Sequence, residues 1–246
     1  MPKLMNQAAS VVGNTVSSFG FSGKRIEELT SSAYTLASIA VDLSPSTSSF
    51  VKELAAALAA IVDSLHKSPQ SENLLVRAET FDDTLTELHG FVNLADIKAS
   101  DYKLKCTGGG TALLDALLCG IEAVGAYGKL LDGMDYDVNG VVFVITDGEE
   151  NSSRTASVSS IPSALNRIRK EEHLESLKVI LIGVGDQGSV KTYLEKLKTQ
   201  AKLDQYVWVG DASPNNLAKL ADFISKSISS ASLSLGTGGS SQNLDF

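Results

Sequence analysis

The sequence predicts an α/β fold: a central, mostly parallel sheet of six strands with one antiparallel edge strand and helices on both faces. Two patterns point there. Short β-branched apolar runs alternate along the chain with longer segments of helical periodicity, the signature of parallel strands joined by crossover helices. One shorter alternating stretch follows its predecessor after only a tight turn, which suits an antiparallel partner at the edge of such a sheet. The length of 246 residues, 43% of them hydrophobic, fills one core and makes two large domains an unfavourable division. The domain is drawn at 31–231. Residues 1–30 form a Ser/Gly/Asn-rich N-terminal arm, and residues 232–246 form a C-terminal tail of similar composition, expected to be flexible.

The first run, Tyr34 to Val41, reads as a strand ending at Asp42. A Ser/Pro-rich turn leads from it into Phe50 to His66, where Leu54, Leu58, Ile61, Val62 and Leu65 recur at helical spacing. Leu74 to Phe81 is the second strand, and Thr84 to Phe91, after the Asp82-Asp83 turn, is its antiparallel partner. Thr111 to Tyr127 is helical in pattern. Gly140 to Ile145 is apolar on both faces and therefore a central strand, ending in the acidic turn 146–151. Leu177 to Val184 and Gln205 to Val209 complete the strands. Each is followed by a helix, Val190 to Thr199 and Pro214 to Ser230.

The formal net charge of −8 gives a field that repels phosphate backbones and anionic lipid head groups, so neither nucleic acid nor a membrane surface is the expected partner. Cys106 and Cys119 belong to no C-x-x-C pair or zinc-finger spacing and read as free thiols. Met1 to Ser10 lack the apolar core of a signal peptide, and no stretch reaches transmembrane length, so a soluble chain in the cytoplasm is expected, or in a virion if a phage encodes it.

In an open α/β sheet ligands bind beyond the carboxyl ends of strands, where the strand order reverses. Three places of that kind carry oxygen donors. Asp42-Leu43-Ser44-Pro45-Ser46 follows the first strand and, if extended, points Asp42, Ser44 and Ser46 to one side. Thr107-Gly108-Gly109-Gly110-Thr111 precedes a helix, and its glycines permit close approach while delivering Thr111 to the helix N-terminus. Thr146-Asp147-Gly148 sets a second carboxylate after the central strand. With hard oxygen donors and neither His nor Cys in the set, Mg²⁺ is favoured over zinc, and Mn²⁺ or Ca²⁺ also fit.

Together these pieces, D-x-S-x-S, a threonine in a Gly-rich turn and T-D-G, resemble the metal-ion-dependent adhesion site (MIDAS) of von Willebrand factor type A (vWA) domains over about residues 33–230. The resemblance implies a Rossmann-like vWA fold and a metal site of Asp42, Ser44, Ser46, Thr111 and Asp147. In it the hydroxyls bind the ion directly, the aspartates act largely through water, and one position stays open for an Asp or Glu of a protein partner. By the same resemblance the chain is a binding module, not an enzyme, in an intracellular assembly such as one containing an ATPase. A structural or adhesive component of a phage particle or injection apparatus is the alternative. Pro45 and Thr47 depart from the usual motif.

Blander readings stand beside this one. A lone D-x-S-x-S turn commonly only caps a helix, here through Ser46, Thr47 or Ser48. Gly183-Val184-Gly185-Asp186-Gln187-Gly188 spells a dinucleotide fingerprint, but after the fifth strand instead of the first, so a structural turn is expected. His66, His89 and His173 are scattered without paired spacing, and Glu149 and Glu150 are expected to be solvated. No general base or nucleophile accompanies the oxygen cluster, which leaves a metal- or dinucleotide-dependent enzyme as the least supported class.

Overall fold

Alternation along the first strand decides which helices lie on which side. In β1 (Ala33–Asp42), Leu36 and Ala40 join one core cluster, while Ala37, Ile39 and Val41 join the other. The computed structural model describes residues 19–106, 108–235 and 243–246 of the chain. Its sheet has six strands in the order β3-β2-β1-β4-β5-β6, adding β2 (Leu74–Phe81), β3 (Leu85–Asn93), β4 (Asp137–Thr146), β5 (Ser176–Gly183) and β6 (Gln205–Trp208). All neighbours pair in parallel except β2 with β3, the antiparallel edge.

Helices α1 (Val51–His66) and α5 (Pro214–Ser234) pack together on one face of the sheet. On the other lie α2 (Leu113–Asp132), α3 (Ser160–Glu171) and α4 (Gly188–Gln200). The expected apolar stripe of α1 is buried at Leu54, Leu58, Ile61, Val62 and Leu65. Every residue of α2 from Leu113 to Gly128 is buried, Asp115 and Glu122 included, because protein surrounds this helix on all sides. α5 starts with Pro214 in its first turn and with the Ser213 hydroxyl accepting from Asn216 N–H at 3.4 Å. α3 went unread in the sequence, although its buried Ile161, Ala164, Leu165 and Ile168 keep helical spacing within an otherwise polar segment.

The first and last described segments reach the sheet edges. Lys24 N–H donates to Phe91 O at 2.7 Å and Phe91 N–H to Ser22 O at 2.9 Å, so residues 22–24 pair with edge strand β3. Phe91 stacks on Tyr127 with ring centroids 5.1 Å apart, and Phe21 meets both edge-on. Of the arm drawn at 1–30, residues 1–18 lie outside the described residues. At the other end α5 runs on to Ser234, past position 231. Beyond residues 236–242, also outside the description, Leu244 O accepts from the Gln205 side chain at 2.7 Å and Phe246 meets Phe223 edge-on.

A charged cluster that the sequence reading missed lies between the sheet and α2. The Arg77 side chain is 1% exposed. It donates to Glu79 at 2.7 Å, to Glu87 at 2.9 Å and to the Ser38 hydroxyl at 3.2 Å. Burial alone would lower its pKa, but Glu79 and Glu87 raise it and hold the guanidinium charged. Ser22 donates to Glu87 through both its N–H and its hydroxyl, tying the N-terminal segment to this cluster. Arg77→Ala would leave two carboxylates without their cation, one of them fully buried. Urea unfolding should show a loss of about 3–5 kcal/mol, and a loss below about 1 kcal/mol would mean that the carboxylates find other compensation.

Candidate metal centre

The chain passes from β1 outward to β2 and β3, then returns to the other side of β1 to form β4, so the order reverses between β1 and β4. Asp42 is the last residue of β1, and Asp147 follows the last residue of β4. The two carboxylates therefore stand at the carboxyl ends of adjacent parallel strands, in the crevice where ligands of open α/β sheets bind.

Four of the five candidate residues form a continuous hydrogen-bonded chain. Asp42 Oδ1 accepts from Ser44 N–H at 2.8 Å, and its Oδ2 accepts from the Thr146 hydroxyl at 2.6 Å. Ser44 Oγ lies 3.1 Å from Ser46 Oγ, and Ser46 Oγ donates to Asp147 Oδ1 at 2.7 Å. Thr111 comes alongside: its hydroxyl lies 3.4 Å from where a Cβ on Gly148 would sit. The threonine is pinned by Asn151, whose side-chain oxygen accepts from Thr111 N–H at 2.8 Å and whose own N–H donates to Thr111 O at 3.1 Å.

The first loop takes a shape the sequence reading did not expect. It is not extended, because Pro45 opens a 3₁₀ turn, Pro45–Ser49, closed by Thr47 N–H and Thr47 hydroxyl bonds to Ser44 O. The two serine hydroxyls still meet, since the turn folds Ser46 back over Ser44. The capping reading finds no counterpart, as no side chain caps the N-terminus of α1. In the Gly-rich turn Gly109 has φ +117° and faces the Asp83 carboxylate so closely that a Cβ there would collide with it.

Burial raises the pKa of Asp42, against the lowering effect of its hydrogen bonds from Thr146 and Ser44. Asp147 is pushed up to about 6, first by burial and further by the Asp42 charge, while Ser46 works against both. Two carboxylates held together and partly desolvated gain from any cation that neutralises them, and the three hydroxyls supply further neutral oxygens. The donor set thus fits a hard divalent ion. Among the described residues no group of three or more His, Cys, Asp or Glu side chains is placed to hold a metal ion, so the oxygen cluster owes its character to hydroxyls as much as to acids.

Glu150, expected to be solvated, is instead an anchor. Its carboxylate accepts from Leu114 N–H, Ser152 N–H, Ser153 N–H and the Ser153 hydroxyl at 2.6–2.8 Å. Asp115 returns the favour by accepting from Arg154, Thr155 and Ala156 N–H groups. Free backbone donors at the start of α2 and in the 150–156 loop are satisfied reciprocally, which fixes Thr111 relative to Asp147. Sequence spacing carried no signal for this exchange, whose partners lie far apart in the chain.

The histidines are engaged elsewhere. His66 bonds Ile97 O, His89 bonds Gly90 O and the Tyr102 hydroxyl, and His173 bonds Asp132. At the G-x-G-x-x-G segment, a Cβ on Gly183 would strike the Trp208 ring and Leu194, which gives that glycine a packing reason. This turn follows β5, one strand away from the order reversal.

No protein-family model matches the chain, and neither does any curated protein. Among solved structures it is similar to proximal thread matrix protein 1 (PTMP1) from the mussel byssus, with a TM-score of 0.54 and 21% identity over 82% of this chain and 47% of that one. In another PTMP1 structure, with a TM-score of 0.52 and 22% identity over 79% and 46% of the two chains, zinc occupies the MIDAS motif. The PilB minor pilin from Streptococcus sanguinis has a TM-score of 0.55 and 13% identity over 81% of this chain and 62% of that one. For the pilus adhesin SpaC from Lactobacillus rhamnosus GG in its open conformation the values are 0.54 and 10%, over 80% and 30%. The chain spans less than two thirds of the length of each. At these identities the likeness is one of fold, the vWA-like Rossmann fold.

The raised carboxylates set a pH signature for chelator-treated protein. The native state keeps the Asp147 proton up to about pH 6, whereas the unfolded chain releases it near 3.8. In that window the native state binds more protons, so this group's contribution falls as pH rises. Allowing for partial exposure, about 1–2 kcal/mol of stability should be lost between about pH 4 and 6 relative to Asp147→Asn. Denaturant midpoints with the same pH slope in both proteins would contradict it.

Proposed function

We propose that the chain is a metal-ion-dependent protein-recognition module, with Mg²⁺ held by Asp42, Ser44, Ser46, Thr111 and Asp147, working inside a multiprotein assembly. The observation that carries this reading is the run of carboxylates and hydroxyls linked across the β1–β4 crevice. A divalent ion bound there supplies Lewis acidity toward an external carboxylate. The chain's own residues do the rest. Thr146 and Ser44 orient Asp42 by donating to its two oxygens, Ser46 positions Asp147, and the Asn151 pairing keeps Thr111 at the rim.

An all-oxygen donor set favours Mg²⁺, and Mn²⁺ or Ca²⁺ by the same chemistry. Zinc in the MIDAS motif of PTMP1 supports a divalent ion in a motif of this kind without deciding its identity. Binding instead of turnover accords with the three histidines being engaged away from the crevice. Among the described residues no helix is long and apolar enough to cross a membrane. The partner in this reading is a protein offering an Asp or Glu, in a cytoplasmic complex such as one built around an ATPase.

A second reading, a structural or adhesive part of a larger particle such as a phage or injection apparatus, draws on the pilus adhesin, minor pilin and byssus matrix protein that share the fold. It keeps the same site and differs in the partner. Pull-downs from the native source in Mg²⁺ and in EDTA, beside a folded Asp42→Ala plus Ser44→Ala variant, test the common core. Partners should be lost with chelator and in the variant alike. Partners retained in all three arms would move recognition to another face.

A further inference from the structure

Beside the crevice, between the β2–β3 hairpin and residues 103–105, lies a cleft of about 190 Å³. That is far more than the ~10–15 Å³ needed to admit one water, and enough for side chains to enter. The cleft adjoins the candidate site: its wall includes Leu43, the residue after Asp42, and Asp82, whose charge acts on Asp42. Leu43, Phe81 and Leu104 give it an apolar floor. At its mouth stand Lys103 and Lys105, both exposed, and neither forms an ion pair among the described residues.

The protein carries a net charge of −8, and several of its cations are committed to acids, as in Lys24–Asp96, Arg154–Asp83 and Lys226–Asp222. Two unpaired lysines one residue apart, at the rim of a cleft opening beside a candidate metal site, form a local positive spot. Asp82 does not cancel it, because it is 7% exposed and its Oδ1 accepts from both the N–H and the hydroxyl of Thr84 within the hairpin turn. The nearby Asp101 carboxylate likewise accepts from Lys98 N–H in its own turn.

We propose that the partner segment is acidic at more than one position. One carboxylate goes to the metal ion, and a second, on the same extended segment, pairs with Lys103 and Lys105, while an apolar side chain rests on Leu43, Phe81 and Leu104. The proposal rests on the metal-dependent reading above and adds the chemistry of the partner to it. The lysines act as a selectivity element: a lone Asp or Glu satisfies the ion, but only an acidic run satisfies the ion and the cleft together. A polyanionic nucleic acid does not fit equally well, since the chain carries a net charge of −8 and Glu149 is exposed after Asp147.

Two fluorescein-labelled peptides test this by anisotropy at low ionic strength, in millimolar Mg²⁺ or EDTA. One, Gly-Ser-Asp-Ser-Gly-Ser-Gly, has a single acid. The other, Gly-Leu-Asp-Ser-Glu-Ser-Glu, has three acids and a leucine. In Mg²⁺ the triacidic peptide should bind wild type about tenfold more tightly. Lys103→Gln plus Lys105→Gln should remove most of that preference while weakening the single-acid peptide by less than about twofold, and Lys103→Arg plus Lys105→Arg should keep the preference. Metal-dependent binding of both peptides with no lysine-dependent preference overturns the cleft proposal and leaves the metal reading standing. Lysine-dependent binding of the triacidic peptide that persists unchanged in EDTA supports the cleft and contradicts the metal reading. Binding of neither peptide in Mg²⁺ overturns the proposal.

Discussion

Two carboxylates at the ends of neighbouring parallel strands are the constraint around which the upper edge of this domain is organised. Asp42 is 1% exposed, and Asp147 stands across the crevice from it at the point where the strand order turns back. Burial raises the pKa of both carboxylates, and the charge of Asp42 raises that of Asp147 further. The loops answer by directing donors at them: a backbone N–H, the Thr146 hydroxyl and the Ser46 hydroxyl. Among the described residues the loops direct no positive charge at them, and the proposed divalent cation would meet that shortfall.

The rest of the domain makes that edge rigid. α2, buried on all sides, carries the Gly-rich turn and Thr111 at its start, and the Glu150 and Asp115 exchanges lock it to the loop after β4. The Asp82 carbonyl accepts from Ala112 N–H at 2.7 Å, joining the same turn to the hairpin. Three loops that are distant in sequence are thereby fixed to one another before any ligand arrives, as a preorganised recognition site requires. Farther from the edge, the Arg77 cluster ties β2, β3 and the N-terminal segment together. The side of the sheet that holds the cleft is thus anchored independently of the crevice.

Much of this was legible in the sequence because it depends on periodicity and order. The apolar runs located all six strands, the hairpin after Phe81 located the antiparallel edge, and strand-end placement brought Asp42, Ser44, Ser46, Thr111 and Asp147 to one region. What escaped depends on particular hydrogen bonds and on burial, which periodicity does not report. The 3₁₀ turn at Pro45 arises from Thr47 bonding back to Ser44, which an alternation rule cannot foresee. Glu150 looked like a surface acid, and only the fold shows four donors converging on it. Arg77 and Glu79 interrupt an apolar strand, and their pairing becomes visible only when β2 is seen against α2. α3 hid in a polar segment whose apolar residues are few though correctly spaced.

In the proposed site these five oxygen-bearing residues act together on one ion. Isothermal titration of Mg²⁺ into chelator-stripped protein at neutral pH tests it most directly, with Asp147→Asn as the control that keeps side-chain shape and removes one charge. Wild type should bind one ion per chain, and Asp147→Asn should show no measurable binding at the same concentrations. Equal binding by both proteins, or none by wild type while it remains folded, would contradict it.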